Sequence, residues 1–188
     1  MKNDQPVIIK RQDYTPSPYR VDAIELTIEL DPRATTVTAL SQVRRQGDDA
    51  GAPLRLDGEA LELLSVAIDG QALPPERYRL TDDSLTITDL PASFALRIAS
   101  RIDPQANSAL SGLYLSNGNY YSQCEAEGFR RITFFLDRPD VMARYQVTLV
   151  GDAQHLPVML SNGNLVAQGA WPAGADGRPR HFARWVDP

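Results

Sequence analysis

The sequence predicts an all-β fold, an antiparallel β-sandwich with at most one or two short helical turns. Three observations predict it. Apolar and polar residues alternate with period two over much of the chain. The alternating segments recur about every 8–14 residues, with turn residues between them. No apolar stripe of helical period has any length.

Residues 1–13 are polar and read as an N-terminal arm, followed by a proline-stiffened entry at Asp13-Tyr14-Thr15-Pro16-Ser17-Pro18-Tyr19. Ile24, Leu26, Ile28 and Leu30 alternate with Glu25, Thr27 and Glu29, and Asp31-Pro32 closes that strand. Val37, Ala39, Ser41 and Val43 mark the next, and Leu54 and Leu56 a short one. Leu64, Val66 and Ile68 run into Asp69-Gly70, a hairpin signal because such turns need positive φ. Tyr78-Arg79-Leu80 is expected to pair with what precedes it. Asp82-Asp83-Ser84 turns the chain into Leu85 and Ile87, and Phe94, Leu96 and Ile98 follow. Residues 104–111 read as a loop. The string Leu-Ser-Asn-Gly-Asn occurs at 115–119 and again at 160–164, and each copy predicts a two-residue hairpin turn. Pro139 to Arg144 is the best helix candidate, with Pro near its start and Asp140 in its first turn. Tyr145, Val147 and Leu149 form a strand, residues 169–180 a loose turn, and His181–Val186 the last strand.

The 188 residues, 43% hydrophobic and 23% charged, fit one β-domain over 1–188. The single cysteine, Cys124, permits no intrachain disulfide, which favours a reducing, cytoplasmic setting. No apolar h-region follows Met1, and no run reaches the ~18 apolar residues of a membrane span. A net charge of −5 with scattered basic residues argues against nucleic acid and anionic membrane as partners.

The densest chemistry lies in Gln123-Cys124-Glu125-Ala126-Glu127-Gly128. Carboxylates and amide oxygens are the groups that accept the three N–H bonds of an α-ammonium, and Gln123 and Glu125 offer both types two residues apart. In an extended segment Gln123, Glu125 and Glu127 would project on one side. The plain alternative is an exposed acidic strand end. Glu127 reads as structural, a partner for Arg130 or Arg131, and Gly128 as a residue whose missing Cβ permits a conformation or a close approach. At least one of Arg130, Arg131 and Arg138 should hold a carboxylate. Cys124 reads as a small buried filler, and Trp171 and Trp185 as packing residues. The two histidines, His155 and His181, are far apart and draw no zinc site with the one cysteine. No HExxH, phosphate loop or nucleophile elbow is present, so the chain alone is expected to be inactive.

The run Gln123 to Gly128, with Phe129-Arg130, Ile132-Thr133 and Asp137-Arg138-Pro139-Asp140-Val141, resembles the N-terminal domain of the bacterial aminopeptidase N (alanyl aminopeptidase) family of HExxH zinc metallopeptidases. The likeness extends to Asp13-Tyr14, Pro18-Tyr19, Leu160 to Asn164, His181, Trp185 and Asp187-Pro188. It covers nearly the whole chain and stops where that family's catalytic domain would begin. Arg131 departs from the pattern, since relatives often carry His there. The resemblance implies a saddle-like β-domain, and an enzyme that removes N-terminal amino acids from peptides. It implies zinc in a catalytic domain absent from this chain, with none bound by the chain itself. It also implies that Glu125 binds the substrate α-amino group with help from Gln123, opposite a glutamate in a Gly-Ala-Met-Glu-Asn motif that this chain lacks. The partners implied are a peptide N-terminus and the catalytic domain itself. A reading of another class is a free-standing, non-catalytic β-sandwich that binds a peptide or partner protein.

Overall fold

The computed structural model describes residues 10–174 and 176–187. Among these, thirteen strands form three sheets: β1 Tyr19–Glu29, β2 Thr35–Arg45, β3 Leu54–Asp57, β4 Glu62–Ile68, β5 Gln71–Ala72, β6 Tyr78–Leu80, β7 Ser84–Ile87, β8 Ser93–Ile102, β9 Gly112–Ser116, β10 Asn119–Gln123, β11 Arg144–Asp152, β12 Asn164–Trp171 and β13 Arg180–Asp187. Helical structure among the described residues is limited to three single 3-10 turns, Arg11–Asp13, Pro75–Arg77 and Phe129–Arg131. Of the expected N-terminal arm, Met1 to Ile9 lie outside the described residues, and Lys10 to Asp13 are exposed.

An eight-stranded sheet runs β12-β13-β11-β1-β2-β8-β4-β5, with a three-stranded sheet β3-β7-β6 and the β9-β10 hairpin beside it. One core joins them. Ile24, Leu26, Val37 and Ile98 of the large sheet share it with Leu54 and Ile87 of the small one and Leu113 of the hairpin. The alternation that predicted the strands is the alternation that buries them: Thr35, Val37, Ala39, Ser41 and Val43 all face inward from β2.

The structure corrects four expectations. The sheets are not wholly antiparallel: β1 and β11 pair in parallel, Leu26 against Val147 and Ile28 against Leu149. Parallel neighbours need a long connection, and here it carries the smaller sheets. β6 pairs forward with β7, Leu80 against Leu85, through the turn at Asp82-Asp83. Pro139–Arg144 forms a single turn, Val141 N–H to Arg138 O at 3.1 Å, and then runs extended. The second Asn-Gly makes no hairpin, because β12 pairs with β13 and residues 158–161 are outside any strand. The first copy does turn as expected, with Asn117 at φ 50° and Gly118 at φ 81°.

Candidate functional site

β10 ends at Gln123, paired with Gly112 of β9. The chain then leaves the strand and turns over Cys124–Gly128, closed by Gly128 N–H to Cys124 O at 2.8 Å. The expected extended projection of Gln123, Glu125 and Glu127 is therefore replaced by a turn. Gly128 sits at φ −91°, open to any residue, so its role is close approach. A Cβ there would lie 2.4 Å from Gln123 O and 2.8 Å from Cys124 Cα. The 3-10 turn Phe129–Arg131 follows at once. Phe129 fixes it to the core, edge-on to Phe135 at 5.0 Å and to Tyr145 at 5.8 Å between ring centroids.

Arginines occupy the carboxylates around this turn. Asp137 Oδ2 accepts from Arg130 Nε at 2.9 Å and from Arg130 main-chain N–H at 3.1 Å, and Asp137 O accepts from Nη2 at 3.0 Å. Arg130 also pairs with Glu127 at 3.4 Å. Arg131 pairs with Glu59, and Arg138 grips Asp140 through two bonds at 2.9 and 2.7 Å. Asp140 accepts from Tyr14 OH at 2.9 Å, and Arg138 donates to Thr15 O at 2.8 Å, so the N-terminal entry is tied to this turn. Burial opposes the Arg130 charge, but the Asp137 hydrogen bond with nearby Asp57 and Glu127 raises its pKa above the ordinary value.

Glu125 and Gln123 are both exposed. Gln123 Nε2 donates to Glu125 O at 3.4 Å. The Glu125 carboxylate has no hydrogen bond or ion pair among the described residues. Cys124 is half-buried, and burial with nearby Asp137 pushes its thiol pKa up, the reverse of an activated nucleophile. His155 Nδ1 lies 3.0 Å from Asp152 Oδ1, and His181 Nε2 lies 2.7 Å from Leu156 O. Trp171 stacks edge-on to Phe182. Among the described residues no three His, Cys, Asp or Glu side chains are grouped to hold a metal, so zinc does not fit here.

Beside the turn lies a cavity of about 740 Å³, open on one side. Leu26, Ile28, Tyr145 and Val147 of the large sheet form its floor, with Tyr120 and Phe129 among its walls. Val158 and Leu160 edge it and are 72% and 73% exposed. Burial pushes the phenols of Tyr120 and Tyr145 up to about 12. Period-two alternation marks the floor strands but does not show what covers them, so the cavity was not legible in the sequence.

Residues 15–184 match the Peptidase M1 N-terminal domain family. The chain belongs to that family. Aminopeptidase N of Caulobacter vibrioides is 45% identical over 188 residues, all of this M1 N-terminal domain and 21% of that protein. Aminopeptidase N of Escherichia coli K12 is 46% identical over 184 residues, 98% of this chain and 20% of that protein. The crystal structure of Legionella pneumophila aminopeptidase A in complex with aspartic acid superposes with a TM-score of 0.86 at 32% identity, over 95% of this chain and 21% of that one. The chain thus spans about a fifth of the length of the curated relatives it matches. Within this M1 N-terminal domain the Arg130–Asp137 pair carries a carboxylate as expected of one of the arginines, but its seven-residue spacing gave no signal that these two meet. No helix of the described residues is long and apolar enough to cross a membrane.

Proposed function

We propose that residues 1–188 form the substrate-recognition domain of a longer, cytoplasmic zinc aminopeptidase that removes amino acids one at a time from peptide N-termini. Glu125 is its post for the substrate α-ammonium, and Gln123 supplies a second acceptor. One observation carries this reading. Around the turn Glu59, Glu127, Asp137 and Asp140 are each engaged by Arg130, Arg131 or Arg138, whereas Glu125 is exposed and unpaired among the described residues. A carboxylate that contributes nothing to the fold is free to accept a ligand's N–H bonds. The family and the aminopeptidase relatives support the reaction class. Zinc and the catalytic residues belong to the part of such relatives beyond this chain's span, which is the domain's intended partner. The lone cysteine supports the cytoplasmic assignment.

The test is kcat/KM of the full-length protein on an aminoacyl anilide. Glu125→Ala should lose about 2–5 kcal/mol of transition-state binding, as truncating one partner of a desolvated charge pair does. An unchanged kcat/KM rejects the role. A full-length protein with no aminopeptidase activity would instead favour a free-standing binding module.

A further inference from the structure

The turn that carries Glu125 is held at its two ends. In its first half Cys124 packs against the core, while Gln123, Glu125 and Ala126 are exposed and share one weak side-chain hydrogen bond, Gln123 Nε2 to Glu125 O at 3.4 Å. Its other half is strapped to Asp137. That carboxylate is 11% exposed and receives both the main-chain N–H and the Nε of Arg130, while the Asp137 carbonyl receives Nη2. The same Nη2 reaches Glu127, two residues from Glu125. Glu59 N–H donates to Arg130 O at 2.9 Å, which fixes the Arg130 main chain from the β3–β4 side. The contacts run from Asp137 through Arg130 to Glu127 and Gly128, and Glu125 lies between this strap and the end of β10, where Gln123 pairs with Gly112 and Cys124 packs against the core.

We propose that Asp137 is a positioning residue for recognition of the substrate amino terminus: through Arg130 it sets where the Glu125 turn stands. This rests on the reading of Glu125 given above. Asp137 acts through Arg130, which takes up its Oδ2 and its carbonyl oxygen. Hydrogen bonds to an ionised acceptor are stronger than neutral ones, and here one carboxylate oxygen serves a main-chain donor and a guanidinium together. Loss of it lets the turn drift, and misplacement of a binding group by about 1 Å is enough to cost about a hundred-fold in rate.

The experiment uses the full-length protein and a pair of inhibitors, alanine hydroxamate and propionohydroxamate, which differ only in the α-amino group. Asp137→Ala should raise KM for an alanyl anilide by about ten- to hundred-fold with a smaller change in kcat. It should weaken alanine hydroxamate by a similar factor and leave propionohydroxamate unchanged. Added to Glu125→Ala it should cause no further loss, because both substitutions remove one interaction. Asp137→Asn keeps an oxygen acceptor for the Arg130 main chain and should fall between, which preserves the test if the alanine variant does not fold. Equal loss on both hydroxamates, full additivity with Glu125→Ala, or no loss at all overturns the proposal while leaving Glu125 in place. If Glu125→Ala itself leaves the inhibitor preference intact, the recognition reading fails and the role of Asp137 falls with it.

Discussion

Replacing Gly128 by Ala isolates what the turn over Cys124–Gly128 demands of its backbone. At φ −91° and ψ −16° an alanine has no conformational penalty, so any cost is steric. The added Cβ would stand 2.4 Å from Gln123 O, 2.8 Å from Cys124 Cα and 2.9 Å from Ser111 Oγ. Against ordinary contacts of about 3.5 Å the worst overlap is roughly 1 Å. Ser111 Oγ can rotate aside, but the other two are main-chain atoms of the strand end and the turn itself. Relief requires opening the turn, at the upper end of the ~1–3 kcal/mol typical of overpacking. For a domain of this size that is a fall in Tm of roughly 6–12 °C. Gly118→Ala is the matched control. Gly118 sits at φ 81° with open space around it, so alanine there meets backbone strain and no clash. Circular-dichroism melts of the two variants check the argument. A Gly128→Ala melt within a degree or two of the parent, or less affected than Gly118→Ala, refutes close approach as the reason for the glycine.

Cys124 should react with a disulfide reagent at neutral pH several-fold more slowly than a free thiol, because burial first and Asp137 second disfavour its thiolate; a rate equal to or above the free thiol contradicts this. The Asp152 carboxyl, held down to about 2 by the His155 main-chain N–H, the His155 ring and the Gln154 N–H, lies below the usual unfolded value of about 3.9. Its stabilising contribution is therefore present above about pH 4 and lost as the pH falls through about 2. The urea midpoints of the parent and Asp152→Asn should converge over that window, and a constant difference would rule the linkage out. The exposed apolar rim of Val158 and Leu160 should make the isolated chain self-associate; sedimentation of a strict monomer at high concentration argues against it.

Where alternation is unbroken the strands were legible. β2 and β8 pair residue for residue from Thr35–Ile102 to Arg44–Ser93, and both were evident from Val37 and Phe94 onward. The first half of β1 was not, because a bulge between Val21 and Ala23 shifts the buried set from Tyr19 and Val21 to Ile24, Leu26 and Ile28. Pairing direction was hidden as well, since a period-two strand reads alike beside a parallel or an antiparallel neighbour. The repeated Leu-Ser-Asn-Gly-Asn shows the limit of local strings. Both glycines sit at φ 81°, but Gly118 stands in open space whereas at Gly163 a Cβ would also strike the Val186 carbonyl, so close strand approach distinguishes the second copy. Pro139–Arg144 is too short to nucleate a helix, and Arg138 and Asp140 are drawn to each other and to Tyr14 and Thr15. In the candidate site the adjacency of Gln123 and Glu125 was plain in the sequence, and Glu127 was expected to pair with Arg130 or Arg131, of which the fold selects Arg130. The turn geometry, the Arg130–Asp137 strap and the apolar cavity depend on segments brought together only by the fold.

The most direct test of Glu125 as the ammonium post compares inhibition of the full-length protein by alanine hydroxamate and propionohydroxamate, before and after Glu125→Ala. The account predicts that the parent's preference for the amine-bearing inhibitor collapses while the domain's unfolding free energy stays within about 0.5 kcal/mol, since the side chain is exposed and unpaired. A preference that survives the substitution would contradict it.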